Sequence, residues 1–154
     1  MDSLHIRPAQ DHEFGAVAGL RWRWVMENGA TPAVTQDEFV RDFQDWARAH
    51  APSHRCLVMA RGETVIGMAW LAITARVPTS RSLERRSGDV QCVYVVPDER
   101  SAGAGGQLID AVLELARTLG LERVTVHSSV RATSAYARQG FAVSPQLLQA
   151  DLRS

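Results

Sequence analysis

A run of strand formers, Val90-Gln-Cys-Val-Tyr-Val-Val96, passes through Pro97 and Arg100-Ser-Ala-Gly-Ala-Gly-Gly106 into a helical pattern starting near Gln107. No other stretch constrains the fold as much. The β-branched and aromatic run fits a buried strand. Behind it, Leu108, Ile109, Val112, Leu115, Ala116 and Leu119 recur at the spacing of one helix face. Gly103, Gly105 and Gly106 let the backbone turn between the two with no side chain in the way. Such a turn aims the unpaired N–H groups of the first helical turn, and the positive end of the helix dipole, at one point. That point suits an anion, a phosphate or pyrophosphate. The alternative is a glycine-rich helix start that holds nothing.

The 154 residues suffice for one domain, 1–154, around a single core. All 17 basic residues are arginine, and 17 acidic residues bring the net charge to zero. This removes the main electrostatic argument for a nucleic-acid partner. Cys56 and Cys92 sit in apolar runs without metal or redox spacing and read as small core residues, so no metal is expected. Met1 to Arg7 lacks the apolar stretch of a signal peptide, and no run approaches the ~18 apolar residues of a membrane span. The expectation is a cytoplasmic protein with no membrane partner.

Along the chain, Leu4–Arg7 is a short strand and Asp11 caps a helix that ends at Asn28-Gly29. Thr35-Gln-Asp-Glu38 is a capping box ahead of a helix with the stripe Phe39, Phe43, Trp46, stopped by Pro52. Cys56–Ala60 and Thr64–Thr74 are strands joined by the Arg61-Gly62-Glu63 connection of an antiparallel hairpin. Residues 78–88 read as a mobile loop whose Arg81, Arg85 and Arg86 are candidates to attract an anion. After the glycine turn and its helix come a strand at Val124–His127, a hydroxyl cap at or near Ser129, and a short helix carrying Tyr136 and closed by Gly140. Phe141–Val143 and Leu147–Leu152 supply final strand material. The expected order is β-α-α-β-β-β-α-β-α-β-β, an α/β fold with a mixed sheet and helices on both faces.

Three phosphate motifs compete for the turn. A P-loop ends in Gly-Lys-Ser/Thr, and this chain has no lysine. A dinucleotide fingerprint fails because Gly103 and Gly105 are followed by Leu108, with no acidic ribose partner about twenty residues on. Arg100-Ser-Ala-Gly103-Ala-Gly105 satisfies the R-x-x-G-x-G/A signature of acetyl-CoA binding.

With Ala135-Tyr-Ala-Arg-Gln-Gly-Phe141 some thirty residues later, the chain resembles the GNAT acetyltransferase superfamily along nearly its full length. His127-Ser-Ser is similar to a bacterial subgroup of poorly defined substrates. The resemblance implies a mostly antiparallel central sheet, splayed at the cofactor strand, and acetyl-CoA as co-substrate. It further implies that the backbone of Arg100, Ser101, Ala102, Gly103, Ala104, Gly105 and Gly106 cradles the pyrophosphate. Backbone groups of Val93, Tyr94 and Val95 would pair with the pantetheine arm and serve as an oxyanion hole. Tyr136 is the implied general acid toward the thiolate, with core packing beside Phe141 as its alternative. Ser129 stands where many members carry Asn, and would cap the helix or bond the cofactor arm.

The base is less defined. Asp89 stands near a position where some members carry a glutamate base; a solvated strand-starting Asp is its alternative. His127 is the second candidate, with a hydrogen-bonded strand-end histidine as the other reading. Trp22, Trp24, Glu27, Phe39 and Trp70 are candidates for the acceptor site between the first two helices. The resemblance thus implies an N-acetyltransferase acting on a small-molecule amine, with a homodimer as its expected assembly. Transfer of a longer acyl group and a non-catalytic acyl-CoA-binding module are the alternatives.

Overall fold

The structure, a computed structural model, describes residues Ser3–Arg153, with Ser101 and Ala102 described through their backbone. Met1, Asp2 and Ser154, the ends of the expected 1–154 domain, lie outside the described residues. The elements are β1 (Leu4–Pro8), α1 (Phe14–Glu27), α2 (Gln36–Ala49), β2 (His54–Arg61), β3 (Thr64–Arg76), β4 (Arg85–Val95), α3 (Ala104–Thr118), β5 (Val124–Val126) and α4 (Thr133–Arg138). Tight helical turns at Asp11–Glu13, Pro97–Ala102 and Val130–Ala132 lead into α1, α3 and α4.

The sheet order is β1-β2-β3-β4-β5. β1 to β4 run antiparallel, and α3 crosses over to place β5 parallel to β4. Both faces are covered, as the apolar content of β3 demands. On one face Leu57, Met59, Ala69, Leu71, Val90 and Val95 pack against Leu108, Val112 and Ala116 of α3. On the other, Cys56, Val58, Met68, Trp70 and Tyr94 pack against Val17 and Leu20 of α1 and Ala47 of α2. Half of the expected capping box forms: the Glu38 N–H donates to Thr35 Oγ1 at 3.2 Å, whereas the Thr35 N–H has no return bond to the Glu38 carboxylate among the described residues. No helix among the described residues is long and apolar enough to cross a membrane.

The architecture is α/β with a mixed sheet, as expected, but two boundaries change. β4 starts at Arg85, inside the stretch that reads as a loop, and pairs with β3 back to Arg76. Arg85 there bonds Glu122 at 2.8 Å and the Val77 carbonyl at 2.6 Å, and Arg86 donates to the Leu119 carbonyl. These two arginines are occupied in holding the hairpin. The last two expected strands are absent: residues 141–153 hold no strand, so the observed order stops at β-α-α-β-β-β-α-β-α. A strand exists by virtue of its ladder. The three residues of β5 offer too short an edge to organise one, leaving Val143, Leu147, Leu148 and Leu152 exposed.

Candidate active site

The site is set by one extra residue. Leu71 pairs with Val90 and Trp70 with Cys92, so Gln91 is a bulge in β4. Val90 faces α3, whereas Cys92 and Tyr94 face α1 and α2. Beyond the bulge β4 loses its other neighbour, because pairing with β5 ends at Val90↔Val126. The Val96 N–H donates to the Ile66 carbonyl at 2.9 Å. Antiparallel alternation then turns the amides of Val93 and Val95 away from β3, toward the side that β5 has left. This is the splay expected of the cofactor strand.

Five residues after the end of β4, Arg100 turns inward. Its Nε donates to the Val95 carbonyl at 2.7 Å, its Nη2 reaches Glu27 at 3.1 Å, and its guanidinium lies 5.2 Å from the Tyr94 ring centroid. Glu27, in the last turn of α1, also accepts from the Tyr94 hydroxyl at 2.6 Å. The hydrogen bond from Tyr94, with Arg100 and Arg23 nearby, holds the Glu27 carboxyl below its usual range. Burial, reinforced by that carboxylate, pushes the Tyr94 phenol up to about 12. The arginine of the signature therefore braces α1, β4 and the turn into α3 against one another. Its side chain is engaged in this brace, so what the turn offers an anion is its backbone.

Gly103, with φ +75°, makes the left-handed turn that starts α3. Ala104, Gly105 and Gly106 follow as the first helical residues, whose amides lack an acceptor within the helix. A Cβ built at Gly103 or Gly105 meets nothing within 4 Å, so the space in front of these amides is open. A Cβ built at Gly106 would lie 3.3 Å from Gln139 Nε2, at the end of α4. Bare amides, a helix N-terminus and open space fit a pyrophosphate.

Tyr136, on α4, is mostly buried and packs edge-on to Phe141 with centroids 5.4 Å apart. Its hydroxyl has no hydrogen-bond partner among the described residues and is not sealed from solvent. Burial raises its pKa, and the nearby Cys92 thiol raises it further. The Ser129 hydroxyl accepts from the Ala132 N–H at 3.3 Å, capping the turn before α4.

Asp89 is the fifth residue of β4, not its start. Paired with Ala72, it lies on the α1/α2 face, where Thr125 donates to Oδ1 at 2.9 Å and Gln91 to Oδ2 at 3.4 Å. His127 is exposed, with Nδ1 3.2 Å from Gln149 Oε1. Burial pushes the thiols of Cys56 and Cys92 up, so neither is a thiolate at neutral pH. No cluster of metal-ligating side chains occurs among the described residues.

Of the acceptor candidates, Trp70 lines a small cavity at the bulge together with Arg21, Phe43, Trp46, Gln91 and Cys92. Glu27 joins the Arg100 brace instead. Trp22 and Phe39 pack on each other at 5.7 Å, and Trp24 lies under Arg21 at 4.2 Å. Arg21, Phe43 and Trp46 are not distinguishable as cavity residues by helical spacing alone. A larger space of about 920 Å³ borders α3, β5, α4 and residues 139–147. Tyr136 is in its wall, but no residue of β4 beyond the bulge or of the glycine turn is, so it is the gap past the β5 edge and not the space before the glycine turn.

Residues 20–141 match the acetyltransferase (GNAT) family. The chain belongs to that family. No curated protein matches it closely enough to be informative. Among solved structures, it is similar to a predicted acetyltransferase from Clostridium acetobutylicum crystallised with acetyl-CoA. Identity there is 18%, TM-score 0.77, and 97% of each chain is covered. A GCN5-related N-acetyltransferase from Ralstonia eutropha shares 21% identity at TM-score 0.74, over 97% of this chain and 99% of that one. Glucosamine-6-phosphate N-acetyltransferase from Arabidopsis thaliana shares 16% at TM-score 0.73, over 99% and 100%. At these identities the likeness is one of fold.

Proposed function

We propose that the chain is an acetyl-CoA-dependent N-acetyltransferase that acetylates a primary amine of a small molecule by direct attack on the thioester. One observation carries the reading: the open amides that begin α3 and the outward amides of Val93 and Val95 belong to one strand-turn-helix unit. The first set suits a pyrophosphate, and the second suits the amide and thioester groups of the arm attached to it.

Acetyl-CoA, when bound, supplies the activated carbonyl. The chain does the rest. The Val93 and Val95 amides donate toward the carbonyl oxygen as negative charge gathers there. Asp89, on the α1/α2 face beside the bulge, takes the proton of the attacking amine through water. As the C–N bond forms and the C–S bond breaks, the departing sulfur takes the Tyr136 Oη proton, and solvent then returns one to the phenol. Direct attack agrees with the two raised thiol pKa values, which deny the chain a cysteine nucleophile.

The test is thermal shift and calorimetry with acetyl-CoA, then thiol release across a panel of amines. A raised melting temperature and amine-dependent release are expected. Absence of both a shift and binding heat overturns the reading. The same reading includes a homodimer, supported by the exposed Val143, Leu147, Leu148 and Leu152 that a second copy would cover. Sedimentation at monomer mass refutes that assembly.

A further inference from the structure

The cavity at the bulge has a definite chemical character. It measures about 160 Å³, close to the size that an engineered apolar cavity needs to hold a benzene ring, ~150 Å³. Its walls are Phe43 and Trp46 of α2, Trp70 of β3, Arg21 of α1, and Gln91 and Cys92 of β4. The rings form one cluster, with Phe43 5.8 Å and Trp46 5.6 Å from Trp70. Trp46 stays 38% exposed, so an apolar ring faces water at this edge.

The polar groups in these walls are mainly donors. Trp70 is 5% exposed, and its Nε1–H is the one buried side-chain polar atom without a hydrogen-bond partner among the described residues. An indole N–H can only donate, and leaving it unpaired in the interior is costly. Arg21 has no carboxylate within ion-pair distance among the described residues. Its nearest polar contact is the Cys92 sulfur at 3.9 Å, a weak acceptor, and that thiol is held neutral. The Gln91 amide group is turned to Asp89. No carboxylate lines the cavity.

A fixed cation and an orphaned donor among aromatic walls, one residue before the outward amide of Val93, ask for an anionic oxygen attached to an apolar body. We propose that this cavity is the acceptor subsite and takes an amino-carboxylate: a small amino acid with an apolar or aromatic side chain, its carboxylate on Arg21 and the Trp70 Nε1–H. The assignment rests on the acetyltransferase reading, since it names the acceptor at that site. A phosphate would demand more donors than one arginine and one indole provide. A polyamine would meet a cation and no carboxylate, although bare aromatic walls alone would attract an ammonium.

The experiment uses phenylalanine and leucine against their decarboxylated counterparts, phenylethylamine and isoamylamine, with phosphoethanolamine as a third arm. Indole N–H resonances of the full chain provide a readout independent of turnover. Four tryptophans give four such signals, and Trp70 is the one missing in Trp70→Phe. The Trp70 signal should move saturably with an amino acid, and the decarboxylated amine should bind about tenfold or more weakly. Arg21→Gln should weaken amino-acid binding by a similar factor and leave the acetyl-CoA affinity unchanged. Equal binding of the decarboxylated amines, tighter binding of phosphoethanolamine, an unmoved Trp70 signal, or an unchanged affinity in Arg21→Gln overturns the proposal. Calorimetry with acetyl-CoA runs alongside. A missing acetyl-CoA heat refutes the transferase reading, whereas the indole signals judge the subsite by themselves.

Discussion

Replacing Gly105 by leucine should raise the stability of the free protein while removing its affinity for acetyl-CoA. Gly105 is the second residue of α3 and lies outside the left-handed backbone region, and a Cβ there meets no atom within 4 Å. The substitution therefore introduces neither strain nor clash. A glycine in a helix is worse than a good helix former by about 0.5–1 kcal/mol. In a chain of this size that corresponds to a rise of roughly 1–4 °C in melting temperature. The bound state fares differently, because the side chain fills the space in front of the amides. Displacing a phosphate from one or two amides forfeits charge-assisted hydrogen bonds of about 1.5–3 kcal/mol each. At ~1.4 kcal/mol per decade, the affinity should fall by about a hundredfold.

Gly103→Leu supplies the contrast. Its φ of +75° adds left-handed strain of roughly 1–2 kcal/mol, so the melting temperature should fall while binding is lost equally. Thermal denaturation of both free variants, followed by calorimetry with acetyl-CoA, separates the two effects. If Gly105→Leu binds acetyl-CoA like the unmodified chain, the amides of α3 are not the cradle. If it melts early, the space in front of them is not open.

Tyr136→Phe should lower kcat on the order of a hundredfold with the acetyl-CoA Kd unchanged, as expected for a lost proton donor. Because its phenol is raised above 10, unmodified activity should show no loss from its ionisation until above about pH 10. Tyr94→Phe removes the 2.6 Å bond to Glu27 and should cost about 1 kcal/mol, read as a melting shift of roughly 2–4 °C. An unchanged melting temperature would mean that Arg100 and Arg23 suffice to hold Glu27. Arg7→Ala breaks the paired contacts, 2.6 and 2.8 Å, that depress the carboxyl of the buried Glu13. A depressed carboxyl contributes stability above its unfolded pKa, near 4.5, and loses it as pH falls through the lower folded value. The variant should thus melt below the unmodified chain at neutral pH, and the gap should close in acid; a constant gap refutes the assignment.

Much of the frame was legible in local pattern. The periodic stripe of α3, the Thr35 cap and the Gly103 turn each depend on neighbours within a few residues, so spacing exposes them. β4 was readable as a strand because Val90, Tyr94 and Val95 are buried, and Val93 half-buried, on a sheet covered on both faces. That same burial hid its phase: with apolar residues on both sides of the strand, no alternation marks Gln91 as the extra residue. The start of β4 escaped because Arg85 to Ser87 are polar, and a backbone ladder needs no apolar side chains. Phe141–Val143 failed in the opposite sense, since apolar residues without a partner edge make no strand. The brace was beyond reach for a different reason: Glu27 and Tyr94 are 67 positions apart, and only folding brings them together.

The bulge at Gln91 behaves like a frame in a reading sequence. Upstream of it, odd and even positions of β4 have one assignment to the two faces; downstream they have the other. It shifts the count without shifting the partners: Val90 lies opposite Leu71 and Cys92 opposite Trp70. Deleting Gln91 would therefore leave Cys92 to Val96 on their present faces, with Tyr94 still toward Glu27 and the Val93 and Val95 amides still outward. What would vanish is the local kink and added twist that a bulge gives its strand, placed where pairing with β5 stops at Val90. The extra residue is a wedge: it lets β4 swing from one neighbour while keeping step with the other.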